Sequence, residues 1–356
     1  MVPQDIFAGE GWSGGIIIDK PQKGAINHHM SNLHSYFEST IGQKAAINKI
    51  VDLWGGHHYD DGHIPAHLIT APAGLGKTHL LEIIRKMSRE LERKPIFTIS
   101  GRELGTRKDF GELLVREMQD KAATLIVDEF HEAEKGVQNA FRSMIEVTSS
   151  RKPRDVKFTD DLIFTFRPEI HTVVLGTNRL DLVDEPFRTR LEIIELAPYS
   201  DEEIEAILIQ MLHSSGLNFV DGTLRMIAEC NRGNARDIIS WGKAVRRRVA
   251  QLGKSNVEVS DVLTILKIKD VLPKGINKNE LAILLALERC GDLQKQELAA
   301  RCGCTSKEIE AHEKYLWRRE FVRNDGKRKI TQAGRDYLGE LRATGFLREK
   351  KVDEAE

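Results

Sequence analysis

Cysteine is scarce in this sequence and arrives late, as Cys230, Cys290, Cys302 and Cys304. That number and spacing exclude a disulfide scaffold. Cys302-Gly-Cys304 is not a Cys-x-x-Cys pair and has no second pair to match it, so core thiols are expected in place of a zinc site. The chain does not open on a charged segment followed by an apolar stretch and a small-residue cleavage site, which points to a cytoplasmic, reducing location. Long apolar runs are missing too. Thr124–Val127 and Leu281–Leu287 fall far short of the roughly 20 residues that cross a bilayer, so no membrane insertion is expected. Charge of one sign is not in excess: 53 Lys plus Arg meet 54 Asp plus Glu, a formal net charge of −1. Any surface for a polyanion must therefore be local. Histidine clusters at His57, His58, His63 and His67, but among Gly55, Gly56, Asp60, Asp61, Gly62 and Pro65, the composition of an exposed loop.

What is present is an ordinary globular composition, 40% apolar and 30% charged, over 356 residues. That length implies two or three cores. Residues 1–36 read as an irregular arm with one short run, Ile16-Ile17-Ile18, that can add a strand. From 37 to 198 strands at Leu68-Ile69, Ile96–Ile99, Leu125–Val127 and Thr172–Leu175 alternate with helical stretches, the pattern of a parallel sheet with helices on both faces. Residues 199–272 read as helical throughout. Pro273-Lys274-Gly275 reads as a linker into a small third unit, 273–347, followed by a charged tail, 348–356.

The segment Ala71-Pro72-Ala73-Gly74-Leu75-Gly76-Lys77-Thr78 follows a strand and opens a helix, the setting a phosphate-binding loop requires. Its glycines let backbone N–H groups turn toward phosphates, and the helix N-terminus adds its positive end. Lys77 is placed for the β and γ phosphates of ATP and Thr78 for Mg²⁺. Ala71 replaces the usual first glycine at a position that carries no chemistry. About 50 residues on, Thr124–Val127 ends in Asp128-Glu129, two carboxylates at the carboxyl edge of a buried strand. Asp128 is expected beside the metal, and Glu129 as the base for the attacking water. Val173–Leu175 leads to Asn178, whose amide can hold that water or simply cap a strand. Arg188, Arg190 and Arg236 are candidate cations for transition-state charge, or members of a solvated surface.

In this order the pieces resemble the AAA+ superfamily and, within it, the RuvB-type motors of Holliday-junction branch migration. The likeness runs from Ile41-Gly42-Gln43 to about Leu347. It is carried by the phosphate loop together with Asp128-Glu129-Phe130-His131, Gly176-Thr177-Asn178-Arg179, Pro186-Phe187-Arg188-Thr189-Arg190 and Pro198-Tyr199-Ser200. The resemblance implies that Asn178 is a first sensor, Arg190 a finger reaching a neighbouring subunit of a hexameric ring, and Arg236 a second sensor in a helical lid. It makes Tyr199 a nucleotide contact, and the nucleotide-binding set becomes Ile41, Gly74, Leu75, Gly76, Lys77, Thr78, His79, Tyr199 and Arg236.

An insert bearing Val156, Phe158, Leu162, Phe164 and Phe166 alternates like a hairpin. In the resembled motors such a hairpin docks a junction-binding protein; alternatively it packs on its own domain. The third unit reads independently as a winged helix. Thr305 and Glu308 form a capping box, and Asn324-Asp325-Gly326 is a turn between two short strands. From Lys274 to Leu347 there are 15 Lys plus Arg against 11 Asp plus Glu. Arg323, Lys327, Arg328 and Lys329 on the wing suit the phosphates of double-stranded or branched DNA, and the resemblance assigns DNA contact to Arg323 and Arg328. The expected function is an ATP-driven DNA motor. The alternatives are a non-motor AAA+ switch regulating transposition or replication, and a winged-helix regulator holding nucleotide as a structural ligand.

Overall fold

A computed structural model describes residues 33–56, 63–145, 152–212 and 216–347. The Ile16–Ile18 run, the rest of the arm to residue 32, His57, His58 and the tail from 348 lie outside the described residues. Chain contacts divide the molecule into two compact units. One takes residues 44–69 and 80–194, and the other takes 40–43, 70–79 and 195 onward.

The first unit is built on a five-stranded sheet. Its strands are β1 (His67–Thr70), β2 (Ile96–Ser100), β3 (Ala123–Asp128), β6 (His171–Thr177) and β7 (Glu192–Glu195), in the order β2-β3-β6-β1-β7. β2 runs parallel to β3 and β3 parallel to β6. Every residue of β1 and β6 is buried, as are the first five of β3. Burial on both faces explains why they read as continuous apolar runs without alternation. The helices α1 (Lys44–Gly56), α2 (Lys77–Met87), α3 (Arg107–Met118) and α4 (Lys135–Met144) alternate with the strands, as expected from the sequence. β7, short and half exposed, is the strand that the sequence reading passed over.

The insert is a hairpin, with β4 (Arg154–Lys157) antiparallel to β5 (Ile163–Phe166). Val156, Phe158, Phe164 and Phe166 are buried in the core of the first unit. Phe158 packs on α3 where Gly111 leaves room; a Cβ on Gly111 would lie 2.4 Å from the Phe158 ring. That contact offsets the roughly 1 kcal/mol that a mid-helix glycine costs. The hairpin therefore packs on its own domain, and its large exposed apolar side chain is Ile163.

The second unit holds two apolar clusters. One joins α6 (Asp201–Leu212), α7 (Thr223–Cys230), α8 (Ala235–Leu252) and α9 (Val259–Lys269) around Ile204, Leu208, Ile238, Val245 and Leu266. This region is not wholly helical: Asn218-Phe219 pairs in parallel with Asn256-Val257. The other cluster joins α10 (Lys278–Cys290), α11 (Lys295–Cys302), α12 (Ser306–Arg318) and α13 (Gln332–Ala343). Between α12 and α13, the strands Val322–Asn324 and Arg328–Ile330 form the wing, with Arg323 opposite Lys329 and Gly326 at φ +88°. Thr305 and Glu308 close their capping box on the first turn of α12.

Two expectations change. Of the cysteines only Cys230 is buried; Cys290 is exposed, and Cys302 and Cys304 are half-buried. Pro273-Lys274-Gly275 is no loose linker, because its three carbonyls accept from Tyr337 Oη at 2.7 Å, Tyr315 Oη at 2.7 Å and Arg232 Nη2 at 3.0 Å respectively.

Candidate functional site

The loop after β1 belongs to the second unit. Gly74 (φ +88°) and Gly76 (φ +95°) take conformations closed to most L-residues, whereas Ala71 does not have positive φ. An alanine in the usual first glycine place therefore carries no strain. Three successive loop carbonyls are held by donors from the helical region. Ala73 accepts from Asn234 Nδ2 at 3.0 Å, Gly74 from the Ala235 N–H at 2.7 Å, and Leu75 from Tyr199 Oη at 3.3 Å. These bonds hold the three carbonyls toward the helical region, and the loop's N–H groups are the polarity an anion needs. A Cβ on Gly74 would stand 1.9 Å from Asn234 Oδ1, so a second requirement for glycine comes from outside the loop.

Lys77 is buried at the start of α2, and Thr78 and His79 are exposed in its first turn. His79 Nε2 lies 3.1 Å from Thr40 Oγ1, beside Ile41 in the chain. Gln43 exchanges hydrogen bonds with the Ala197 backbone at 2.7 and 3.1 Å, which fixes the Ile41–Gln43 segment against the approach to Tyr199. Tyr199 is buried, and that burial raises its phenol pKa. Arg236 is exposed as the second residue of α8, whose N-cap Asn234 accepts from the Arg236 N–H at 2.8 Å. In this unit the structure brings together the loop, Tyr199 and the start of α8.

The acids lie in the first unit. Asp128 ends β3, and Glu129 follows with φ 49° and ψ 44°, a left-handed conformation unusual for glutamate. It persists because neighbours fix it from several sides. Its N–H donates to Asp128 Oδ1 at 2.8 Å, and its carbonyl accepts from the Glu132 N–H at 2.9 Å. Gly101 presses on it too: a Cβ there would lie 2.4 Å from the Glu129 carbonyl oxygen. Asn178 is half-buried directly after β6. His131, which has no assigned role in the motif Asp128-Glu129-Phe130-His131, lies beside these groups. Its Nδ1 lies 3.4 Å from Glu129 Oε2 and 3.1 Å from Thr177 Oγ1, and Thr177 also accepts from the Arg179 N–H at 3.1 Å. His131 thus stands between the candidate base and the strand end that presents Asn178. Asn234 is the other residue missed, since nothing local in Gly233-Asn234-Ala235 announces a partner 161 residues away.

Arg190 is half-buried, and its Nη1 donates to the Arg142 carbonyl at 2.9 Å. On the wing, Arg323 and Lys327 are exposed. Arg328 departs from its expected role: its guanidinium turns inward onto the fully buried Glu313, Nε to Oε1 at 2.6 Å. A desolvated pair of that kind is costly to break, so Arg328 braces the wing from inside. Lys329 pairs with Asp292 at 3.0 Å.

Residues 67–199 match the sequence model of the ATPase family associated with various cellular activities (AAA). The chain is 27% identical over 272 residues to the Holliday junction branch migration complex subunit RuvB of Thermotoga petrophila, covering 73% of this chain and 78% of that protein. It is 25% identical over 346 residues to the same subunit from Chlamydia pneumoniae, covering 88% and 96%. Among solved structures, the Thermotoga maritima RuvB Holliday junction branch migration motor aligns with a TM-score of 0.60 at 26% identity, covering 84% of this chain and 95% of that one.

Proposed function

We propose that this chain, an AAA+ ATPase resembling RuvB, forms a ring, hexameric in the family pattern, that spends ATP to translocate duplex DNA at Holliday junctions or related recombination intermediates. The observation that carries this reading is a phosphate loop gripped by a helical domain that is itself bound to a winged helix. In that reading Lys77 serves the β and γ phosphates, while Tyr199, with Ile41, Gly74, Leu75, Gly76 and His79, shapes the nucleotide pocket. Glu129 takes the proton of the attacking water, Asn178 orients that water, and Arg236 senses the γ phosphate. Arg190 acts on a neighbour's nucleotide, where an arginine supplied in trans is worth roughly 10³ to 10⁵ in rate. Thr78 and Asp128 offer hard oxygen donors of the kind that suits Mg²⁺, which when bound neutralises phosphate charge. Arg323 and Lys327 are the first candidates for DNA phosphates, with Lys329 behind them and Arg328 as their support. A cytoplasmic location agrees with the finding that no helix among the described residues is long and apolar enough to cross a membrane. A junction-binding protein, if it docks on the hairpin, has Ile163 to meet.

The alternative, a non-motor switch regulating transposition or replication through DNA binding, would use the same wing. Three of the four wing cations already have carboxylate partners, Arg323 with Asp325, Arg328 with Glu313 and Lys329 with Asp292. A branch-migration assay on a synthetic four-way junction separates the two. The motor reading expects ATP-dependent strand exchange, lost in Lys77→Ala and in Arg190→Ala. It also expects ATPase activity to reappear when those two inactive proteins are mixed, because each contributes the half-site the other lacks. ATP hydrolysis without strand movement would favour the switch, and no recovery at any mixing ratio would remove Arg190 as a shared residue.

A further inference from the structure

The carbonyls of Ala73, Gly74 and Leu75 are gripped by Asn234, Ala235 and Tyr199, and those gripping residues are themselves held from the winged helix. Arg318, the last residue of α12, spreads its guanidinium over two carbonyls that flank the grip. Its Nη2 donates to the Tyr199 carbonyl at 2.6 Å and its Nη1 to the Arg232 carbonyl at 3.3 Å. Tyr199 and Gly233 are joined in turn by a backbone hydrogen bond at 3.4 Å. From the Tyr199 carbonyl to the Leu75 carbonyl the path is a single side chain. From the Arg232 carbonyl to the Ala73 contact it is two residues of backbone.

The surroundings make this junction stiff. Gly233, at φ +77°, is what admits the guanidinium, since a Cβ there would stand 2.7 Å from Arg318 Nη1. Next door, Arg319 pairs with Asp201 at 2.7 Å and donates to the Glu229 carbonyl, with both charged side chains 15% exposed. Arg232 makes two hydrogen bonds to Glu280, at 2.9 and 2.6 Å, and lies over the Tyr315 ring at 4.3 Å from its centroid. Glu280 is fully buried and accepts from the Asn277 N–H, so the pair also fixes the start of α10. Charged pairs removed from water hold one geometry, because sliding apart exposes an uncompensated buried charge. α12 is the third helix of the winged unit and spans roughly 20 Å. In helix-turn-helix folds the N-terminal part of the equivalent helix faces the duplex. Arg318 sits at the opposite end.

We infer that Arg318 is a positioning residue that transmits displacement of the winged helix to the phosphate loop, so that nucleotide state and DNA engagement report on each other. The inference rests on the reading of the loop as an ATP site and of the wing as a DNA contact. Arginine suits the place because its planar fork presents N–H donors at fixed, separated positions to two carbonyls, whereas a lysine would have to bring one compact ammonium to both. Coupling of this kind is reciprocal: the factor by which DNA changes ATP affinity is the factor by which ATP changes DNA affinity.

The test compares the full-length protein with Arg318→Ala and Arg318→Lys, using amide hydrogen exchange with and without a non-hydrolysable ATP analogue. In the unaltered protein the analogue is expected to slow exchange both in the loop, 71–79, and in the second half of α12. In Arg318→Ala the loop response stays and the α12 response falls at least about fivefold, with Arg318→Lys between the two, and a thermal melt confirms that the variants are folded. An α12 response of equal size in Arg318→Ala, or none in the unaltered protein, overturns the inference. Steady-state ATPase with linear duplex adds a second reading: stimulation is expected to disappear in Arg318→Ala while duplex affinity by fluorescence anisotropy stays the same. If the unaltered protein is not stimulated by DNA at all, the motor reading fails and the exchange experiment still decides the inference. If stimulation exists and survives in Arg318→Ala, the inference fails and the motor reading stands.

Discussion

The turn after β1 and the turn after β3 both leave a buried parallel strand through positive φ, and they do so with opposite residue choices. The first uses Gly74 and Gly76, which adopt φ near +90° without strain. The second places Glu129, the proposed base, at φ 49°, where a glycine would be comfortable. The glycine turn owes its shape partly to its own sequence and partly to Asn234, Ala235 and Tyr199. The glutamate turn is held by Asp128, Glu132 and the close approach of Gly101. A glycine turn of this shape can be written locally, whereas a strained glutamate has to be enforced by its surroundings.

The largest effect that separates the two turns is expected from Glu129→Gln. It keeps the shape and hydrogen-bonding capacity of the side chain and removes the base, so kcat for ATP should fall about 10³-fold while nucleotide binding by calorimetry is retained. A comparable loss of binding would mean that the acid turn, too, is a ligand site.

The strand feeding the glycine turn carries a liability that β3 lacks. His67 is fully buried, and burial pushes its pKa down to about 4. Its Nδ1 faces the Pro65 carbonyl at 2.9 Å, and its buried Nε2 has no hydrogen-bond partner. Because the folded value lies below the unfolded one, near 6.5, the unfolded chain takes up the proton first. The native state therefore keeps its full stability above about pH 6.5 and loses about 3 kcal/mol as the pH falls to 4. Denaturant melts over that range should show the slope, and His67→Leu should flatten it.

Gly101→Ala tests whether tertiary contact alone sets the glutamate turn. A Cβ 2.4 Å from the Glu129 carbonyl must displace it, and a misplacement near 1 Å costs about 10²-fold in kcat with KM little changed. The counterpart, Gly74→Ala, should act on the other constant, raising KM for ATP about tenfold through the 1 to 2 kcal/mol cost of a left-handed alanine and the clash with Asn234. Adding Asn234→Ala should recover part of the clash and none of the backbone strain. Independent, additive effects of the two changes would show that the helical region does not shape the loop.

Much of this was legible in advance. Apart from β7, helix and strand order along the sheet domain, the phosphate loop, the acid pair, the Thr305 cap and the wing turn all follow from local patterns of period, capping and turn chemistry. The hairpin was legible as a hairpin, but its alternation could not say which face was covered, because Gly111 and Phe158 meet only in the folded chain. Arg328 looked like a phosphate ligand for the same reason, since Glu313 lies 15 residues away and nothing local pairs them. Residue type alone makes Cys290, Cys302 and Cys304 core thiols; Cys302 and Cys304 do pack, half-buried, against the winged-unit core, and Cys290 at the end of α10 is exposed.

By itself, then, the sequence determined the candidate residues for phosphate and for water activation, because loop glycines, a strand-end carboxylate pair and helix caps act over a few residues of chain. Only the tertiary structure decided how those residues are held: Glu129 in a strained turn, the loop carbonyls by Tyr199, Asn234 and Ala235, and Tyr199 in turn by Arg318. Such contacts join segments from a few tens to 161 residues apart, where burial and hydrogen-bond satisfaction select partners and no short pattern can.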